Sequence, residues 1–193
     1  MLRALSKGGI LGALILLAWG AVSWLALPWH LMTLEKFPNE EGVARLVLDQ
    51  VPASGMYVLP LTFKLPNTAA PEDVEAAYVL AEQRKRQGPV VFAAIDRDGV
   101  AAFETSLVGM LGINLIAALL VTALVWLARR DGFWERWMLV TLFACAAAVA
   151  VHLPYWNWWG FTSGYTLVAA LDLVVGWMLA GFAIAWATAR PVN

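Results

Sequence analysis

The stretch GGILGALILLAWGAVSWLAL at residues 8–27 decides the fold. It carries no charge over a length that matches the roughly 30 Å hydrocarbon core of a bilayer at about 1.5 Å of helix rise per residue. Three more runs share this character, at 106–128, 137–153 and 165–188, the last interrupted only by Asp172. The chain as a whole is 61% hydrophobic, well above the roughly 45–50% of soluble domains. These runs predict an α-helical membrane protein with four transmembrane helices and a small extracytoplasmic α+β cap between helices one and two. The expected divisions are residues 1–27 for the N-terminus and first helix, 28–104 for the cap, and 105–193 for helices two to four.

Arg3 and Lys7 before the first run also suit a signal peptide, with Ala21 and Ser23 as small residues ahead of a cleavage point. The run is long for that purpose, and Trp24 and Trp29 suit a helix end anchored at an interface. Orientation follows from the short basic segments. Arg3 and Lys7 precede the first span, Arg129, Arg130 and Arg136 separate the second and third, and Arg190 follows the fourth, whereas 154–164 has no Lys or Arg. The positive-inside rule then predicts that both termini and the Arg-rich turn are cytoplasmic and that 28–104 lies on the opposite side. Two belts of tryptophan agree: Trp126, Trp134, Trp137 and Trp186 near the inner boundary, and Trp24, Trp29, Trp156, Trp158 and Trp159 near the outer one. Small residues four apart, Gly8 and Gly12, Ala144 and Ala148, and Gly176 and Ala180, mark candidate helix contacts.

Composition also excludes. A single cysteine, Cys145, leaves no intrachain disulfide, CxxC pair or thiolate cluster. A net charge of -1 gives no footprint for nucleic acid. A disulfide-forming quinone enzyme and a claudin-like adhesion protein both need cysteine pairs, and a transporter shows repeats or broken helices that are not visible here.

The cap segment holds eleven acidic and seven basic residues and seven prolines. Val43, Leu46, Val47 and Val51 at helical spacing predict a helix over 40–51 with acids in its first turn. GMYVLPLTF at 55–63 reads as a strand that Pro60 makes an edge or a break. Pro71 and Gly88 bracket a second helix, 71–87. PVVFAAI at 89–95 followed by DRDG and VAAF reads as a hairpin whose second strand runs into span two.

Ionisable and amide groups inside a membrane are costly enough to be candidates for function. Asp172 is the only acid within a span; Asn114 lies at similar depth, His152 near the outer end of span three, His30 just beyond span one and Glu104 at the entry to span two. Three readings stay open. His30, His152 and Asp172 offer nitrogen and oxygen ligands for zinc, copper or iron. His152 and Asp172 also suit a proton-handling or quinone-facing pair. The plainest reading is a hydrogen-bonded staple of Asp172 with Asn114 or His152. The loop HLPYWNWWGF at 152–161 adds Trp156, Trp158, Trp159 and Phe161, either anchors for a partner or an interfacial belt, with Pro154 and Gly160 fixing its shape.

The combination of AVSWLALPWHLMTL at 21–34, SGMYVLP at 54–60, GPVVFAAI at 88–95, HLPYWNWWGFTSGYTLV at 152–168 and GWMLAG at 176–181 resembles an uncharacterised family of small bacterial four-helix inner-membrane proteins. The resemblance covers nearly the whole chain and implies an inner-membrane setting, with no activity, substrate or cofactor. The resulting expectation is a non-catalytic accessory or scaffold subunit of a bacterial membrane protein complex. Its partners would be the lipid bilayer and other membrane protein subunits. The alternative is a metal-, proton- or quinone-handling membrane protein using the outer-leaflet His/Asp cluster.

Overall fold

Helices dominate because every apolar run is long enough to satisfy its own backbone. The structure, a computed structural model, describes residues 2–62 and 64–189. Arg190 lies outside the described residues. The elements in chain order are α1 (Leu2–Ala21), extended by a π-helical turn (Val22–Ala26), a 3-10 turn (Leu31–Thr33), α2 (Glu40–Gln50), β1 (Gly55–Leu59), α3 (Pro71–Gln87), β2 (Val91–Ile95), α4 (Phe103–Leu127), α5 (Phe133–Trp159) and α6 (Ser163–Ala187). Four stretches, Leu2–Ala26, Phe103–Leu127, Phe133–Trp159 and Ser163–Ala187, are long and apolar enough to cross a membrane.

Two compact units result, one of residues 1–35 with 101–193 and one of 36–100. Residues 28–35, assigned to the cap from sequence, therefore belong to the helical unit. In the smaller unit the expected helices form with the expected signals. Asn39 accepts from the Gly42 N–H at 2.9 Å to cap α2, and Gly88, at φ 68°, ends α3. The expected hairpin does not form. β2 pairs antiparallel with β1, Gly55 opposite Ile95 and Leu59 opposite Val91. Residues 96–102 leave the sheet because Asp96 turns the chain: its carboxylate accepts from the Asp98 N–H at 3.1 Å and from the Ser54 hydroxyl at 3.2 Å. β1 ends at Leu59, before Pro60.

In the helical unit the small residues set the packing. A Cβ on Gly8 would lie 2.6 Å from Thr122, and one on Gly12 would lie 3.1 Å from Ala118, so α1 and α4 run antiparallel at close approach. Gly176 faces Trp19 and Gly181 faces Trp137 and Val140, which bring α6 against α1 on one side and α5 on the other. The helices thus form a row, α4–α1–α6–α5. The row curls at one end, where Val121, Val125, Val140 and Ile184 make a buried cluster. At the other end residues 103–113 of α4 are exposed all round.

The third span is longer than its expected 137–153, and most of the proposed 152–161 loop is helix. α5 continues through Pro154 to Trp159 and stops at Gly160, at φ 73°, whose N–H bonds the Tyr155 carbonyl. Self-satisfied backbone is favoured in an apolar medium, and a proline costs less there than an unravelled turn. The connection to α6 is only residues 160–162.

Arg136 marks the closed end. Sequence read it as an orientation signal; its side chain is in fact buried, donating from Nε to the Ala185 carbonyl at 2.8 Å and from Nη1 to the carbonyls of Arg130 at 3.0 Å and Asp131 at 2.7 Å. It clips the α4–α5 turn to the end of α6. Arg136→Ala is expected to lower stability by about 2–3 kcal/mol, read as a reduced thermal midpoint in detergent, whereas Arg3→Ala, at an exposed position, should leave the midpoint unchanged.

Candidate functional site

At the open end of the row the polar residues of α1, α6 and the turn after α1 converge. Trp19 and Ser23 stand one turn apart on α1. The Trp19 indole donates to Asp172 Oδ1 at 2.7 Å and to the Asp172 backbone carbonyl at 3.1 Å. Its ring fits against α6 only because residue 176 is glycine: a Cβ there would lie 2.8 Å from the Trp19 ring. An unpartnered carboxylate within a span costs about 2.5–3.5 kcal/mol even on lenient scales, so the indole and the gap that admits it act together.

His30 forms the second half of the knot. The chain leaves α1 at Leu27 and turns back through the 3-10 turn, held by the Thr33 hydroxyl, which donates to the His30 carbonyl at 2.8 Å. The imidazole is 5% exposed, stacked face to face on Trp24 with centroids 3.9 Å apart and edge-on to Trp29 at 5.6 Å. His30 Nε2 lies 2.9 Å from Ser23 Oγ, and the Trp29 indole donates to that same oxygen at 3.0 Å. An indole can only donate, so Ser23 Oγ accepts from Trp29. Asp172 Oδ2 is 3.5 Å from His30 Nε2, longer than the about 2.7–2.9 Å of a charge-assisted N–H···O bond. The serine, not the aspartate, is the closer partner of the ring.

Asp172 is thus paired differently from the staple expected with Asn114 or His152. Its hydrogen-bond donor is Trp19 and its nearest ionisable neighbour is His30. Asn114 stands across an apolar cavity of about 640 Å³ that Asp172 also lines, together with Trp19, Trp24, Leu107, Met110 and Trp177. The cavity is the wedge between the exposed first turns of α4 and the α1–α6 pair. His152 lines a smaller cavity of about 260 Å³ with Tyr155, Phe161, Tyr165 and Thr166. The Thr166 hydroxyl is buried with no hydrogen-bond partner among the described residues. Among the described residues no three His, Cys, Asp or Glu side chains are placed to hold a metal ion, so His30, His152 and Asp172 do not assemble as a three-ligand set. Glu104 sits in the exposed first turn of α4.

The aromatic string divides. Trp158 is 71% exposed and Trp156 is exposed while donating to the Ser163 hydroxyl at 3.1 Å; Trp159 is half-buried. Phe161 packs between Tyr155 and Tyr165, with ring centroids 5.3 and 5.6 Å away. The four candidates therefore do not share one presented face.

Sequence reasoning missed Trp19 and Ser23 and read Trp24 only as an interfacial anchor. The available signal was their spacing: an indole and a hydroxyl four residues apart inside a span, followed seven residues later by a histidine. Comparison with protein-family models, with curated proteins and with solved structures gives no match.

Gly176 supplies the test of this geometry. On an open helix face glycine to alanine gains about 0.5–1 kcal/mol, as expected for Gly109→Ala, whose Cβ would meet nothing within 4 Å. Gly176→Ala should instead destabilise by about 1–3 kcal/mol through overpacking against Trp19. Thermal unfolding of the two variants in the same detergent should therefore move in opposite directions.

Proposed function

We propose that this chain is a membrane protein that binds a lipid-soluble small molecule at the wedge cavity, with the His30–Asp172 knot as its polar end. The observation that carries the reading is the double placement of Asp172. The same carboxylate that is fixed by Trp19 also lines an apolar cavity whose size falls within the about 300–1,000 Å³ of small-molecule sites. A staple buries its polar atoms between helices; this one leaves 22% of the aspartate side chain exposed. The open side of the wedge faces where lipid would lie, which suits a ligand that arrives through the bilayer.

The setting proposed for this activity is the bacterial inner membrane, with both termini cytoplasmic and 28–104 periplasmic. The basic cluster of Arg129, Arg130 and Arg136 beside the α4–α5 turn supports that orientation, as does the motif resemblance. The knot and wedge would then occupy the outer leaflet. A second reading, an accessory subunit within a membrane complex, is favoured by the exposed Trp156 and Trp158 and by the all-round exposure of 103–113. Large exposed aromatics are preferred anchors at interfaces.

Purification in mild detergent, solvent extraction and mass spectrometry decide between these. The expected result is a lipophilic small molecule retained in stoichiometric amount by wild type and lost from Leu107→Trp, which fills the wedge from the α4 side. A wild type that carries no such molecule, yet retains partner chains that Trp158→Ala releases, would favour the subunit reading.

A further inference from the structure

The charges and surfaces of the wedge narrow the class of its occupant. Among the described residues that line it only Asp172 is ionisable, and Asn114 is the other polar side chain apart from the indoles, with no Lys, Arg or His on the wall. An anionic headgroup would meet the Asp172 carboxylate with no basic side chain on the cavity wall and is disfavoured there. Asp172 Oδ1 is held by Trp19 at 2.7 Å, and Oδ2 lies 3.5 Å from His30 Nε2, which is itself 2.9 Å from Ser23 Oγ; neither His30 nor Ser23 is part of the cavity lining. His152 of α5 lines the other cavity. Trp19, Trp24 and Trp177 add indole surface to the same walls, and indole is the best of the aromatic faces for a cation. The remaining lining is aliphatic or phenyl, including Leu14, Leu107 and Met110.

We infer that the wedge between α1, α4 and α6 binds a lipophilic organic cation, its charge on the Asp172 carboxylate and its apolar groups against the indoles and the α4 wall. This rests on the small-molecule reading above and adds the charge of the ligand. A small hydrated metal cation would gain nothing from the apolar walls, and a neutral quinone would gain nothing from the charge of the carboxylate. A delocalised or alkylated cation uses both surfaces.

The probe is tetraphenylphosphonium, measured by equilibrium dialysis against the purified full chain in detergent, with triphenylphosphine oxide as its neutral counterpart. Saturable binding of one cation per chain is expected, weakened about tenfold or more in Asp172→Asn and retained in Asp172→Glu, with the neutral compound a poor competitor. Asn keeps an oxygen for the Trp19 indole, so the variant should fold, and its thermal midpoint checks this. Equal cation affinity in wild type and a folded Asp172→Asn would overturn the inference, as would the absence of saturable cation binding to folded wild type. If the neutral compound binds saturably instead and Leu107→Trp abolishes it, the charge assignment fails while the small-molecule reading stands. If neither binds and solvent extraction is empty, both fail.

Discussion

A carboxylate placed inside an apolar helix bundle must be given donors, and much of the open end of this structure follows from that need. Asp172 obtains its donor from Trp19, a large ring that can approach α6 only across the gap left by Gly176. The indole then holds α1 and α6 at a fixed register at this level. The closed end solves the reverse problem, since the buried Arg136 side chain is met by two backbone carbonyls of the α4–α5 turn and one in the last turn of α6. Between these two ties α1 and α4 meet through glycine, alanine and threonine, as close packing in lipid favours, while Trp137 of α5 donates to the Met178 carbonyl of α6 at 2.9 Å.

The row order α4–α1–α6–α5 has a functional consequence. Because α4 leans on α1 through Gly8 and Gly12 and meets α5 around Val121 and Val125, its first three turns are exposed. The wedge cavity exists for that reason. The helix contacts that stabilise one end of the bundle leave the other end open, next to Asp172. The π-helical turn at Val22–Ala26 belongs to the same construction, because it ends α1 where Ser23 and Trp24 face His30; such turns are frequent at functional sites.

The legible part of this architecture was the part written as one-dimensional pattern. Uncharged runs of about 20 residues gave the four helices, and Pro71 with Gly88 gave both ends of α3. Gly8, Gly12 and Gly176 stood out by spacing alone. What could not be read was pairing across the chain. The choice of Trp19 over Asn114 or His152 as the Asp172 donor depends on which helix lies beside α6. Hydropathy does not encode that neighbour order. Likewise β2 had two candidate partners, and the Ser54–Asp96 contact that favours β1 joins residues 42 apart. The helical course of 152–159 was hidden because proline and a dense aromatic string look like a loop unless the apolar surroundings are weighed.

The Trp19–Asp172 bond is the central claim, and indole NMR tests it most directly. In protein labelled with nitrogen-15 tryptophan, the Trp19 Nε1–H signal can be assigned by its loss in Trp19→Phe. A strong bond to a carboxylate predicts a downfield proton shift that moves upfield in Asp172→Ala, while the signals of Trp134 and Trp137 at the other end of the bundle stay in place. A Trp19 signal unmoved by Asp172→Ala in a folded protein would contradict the account.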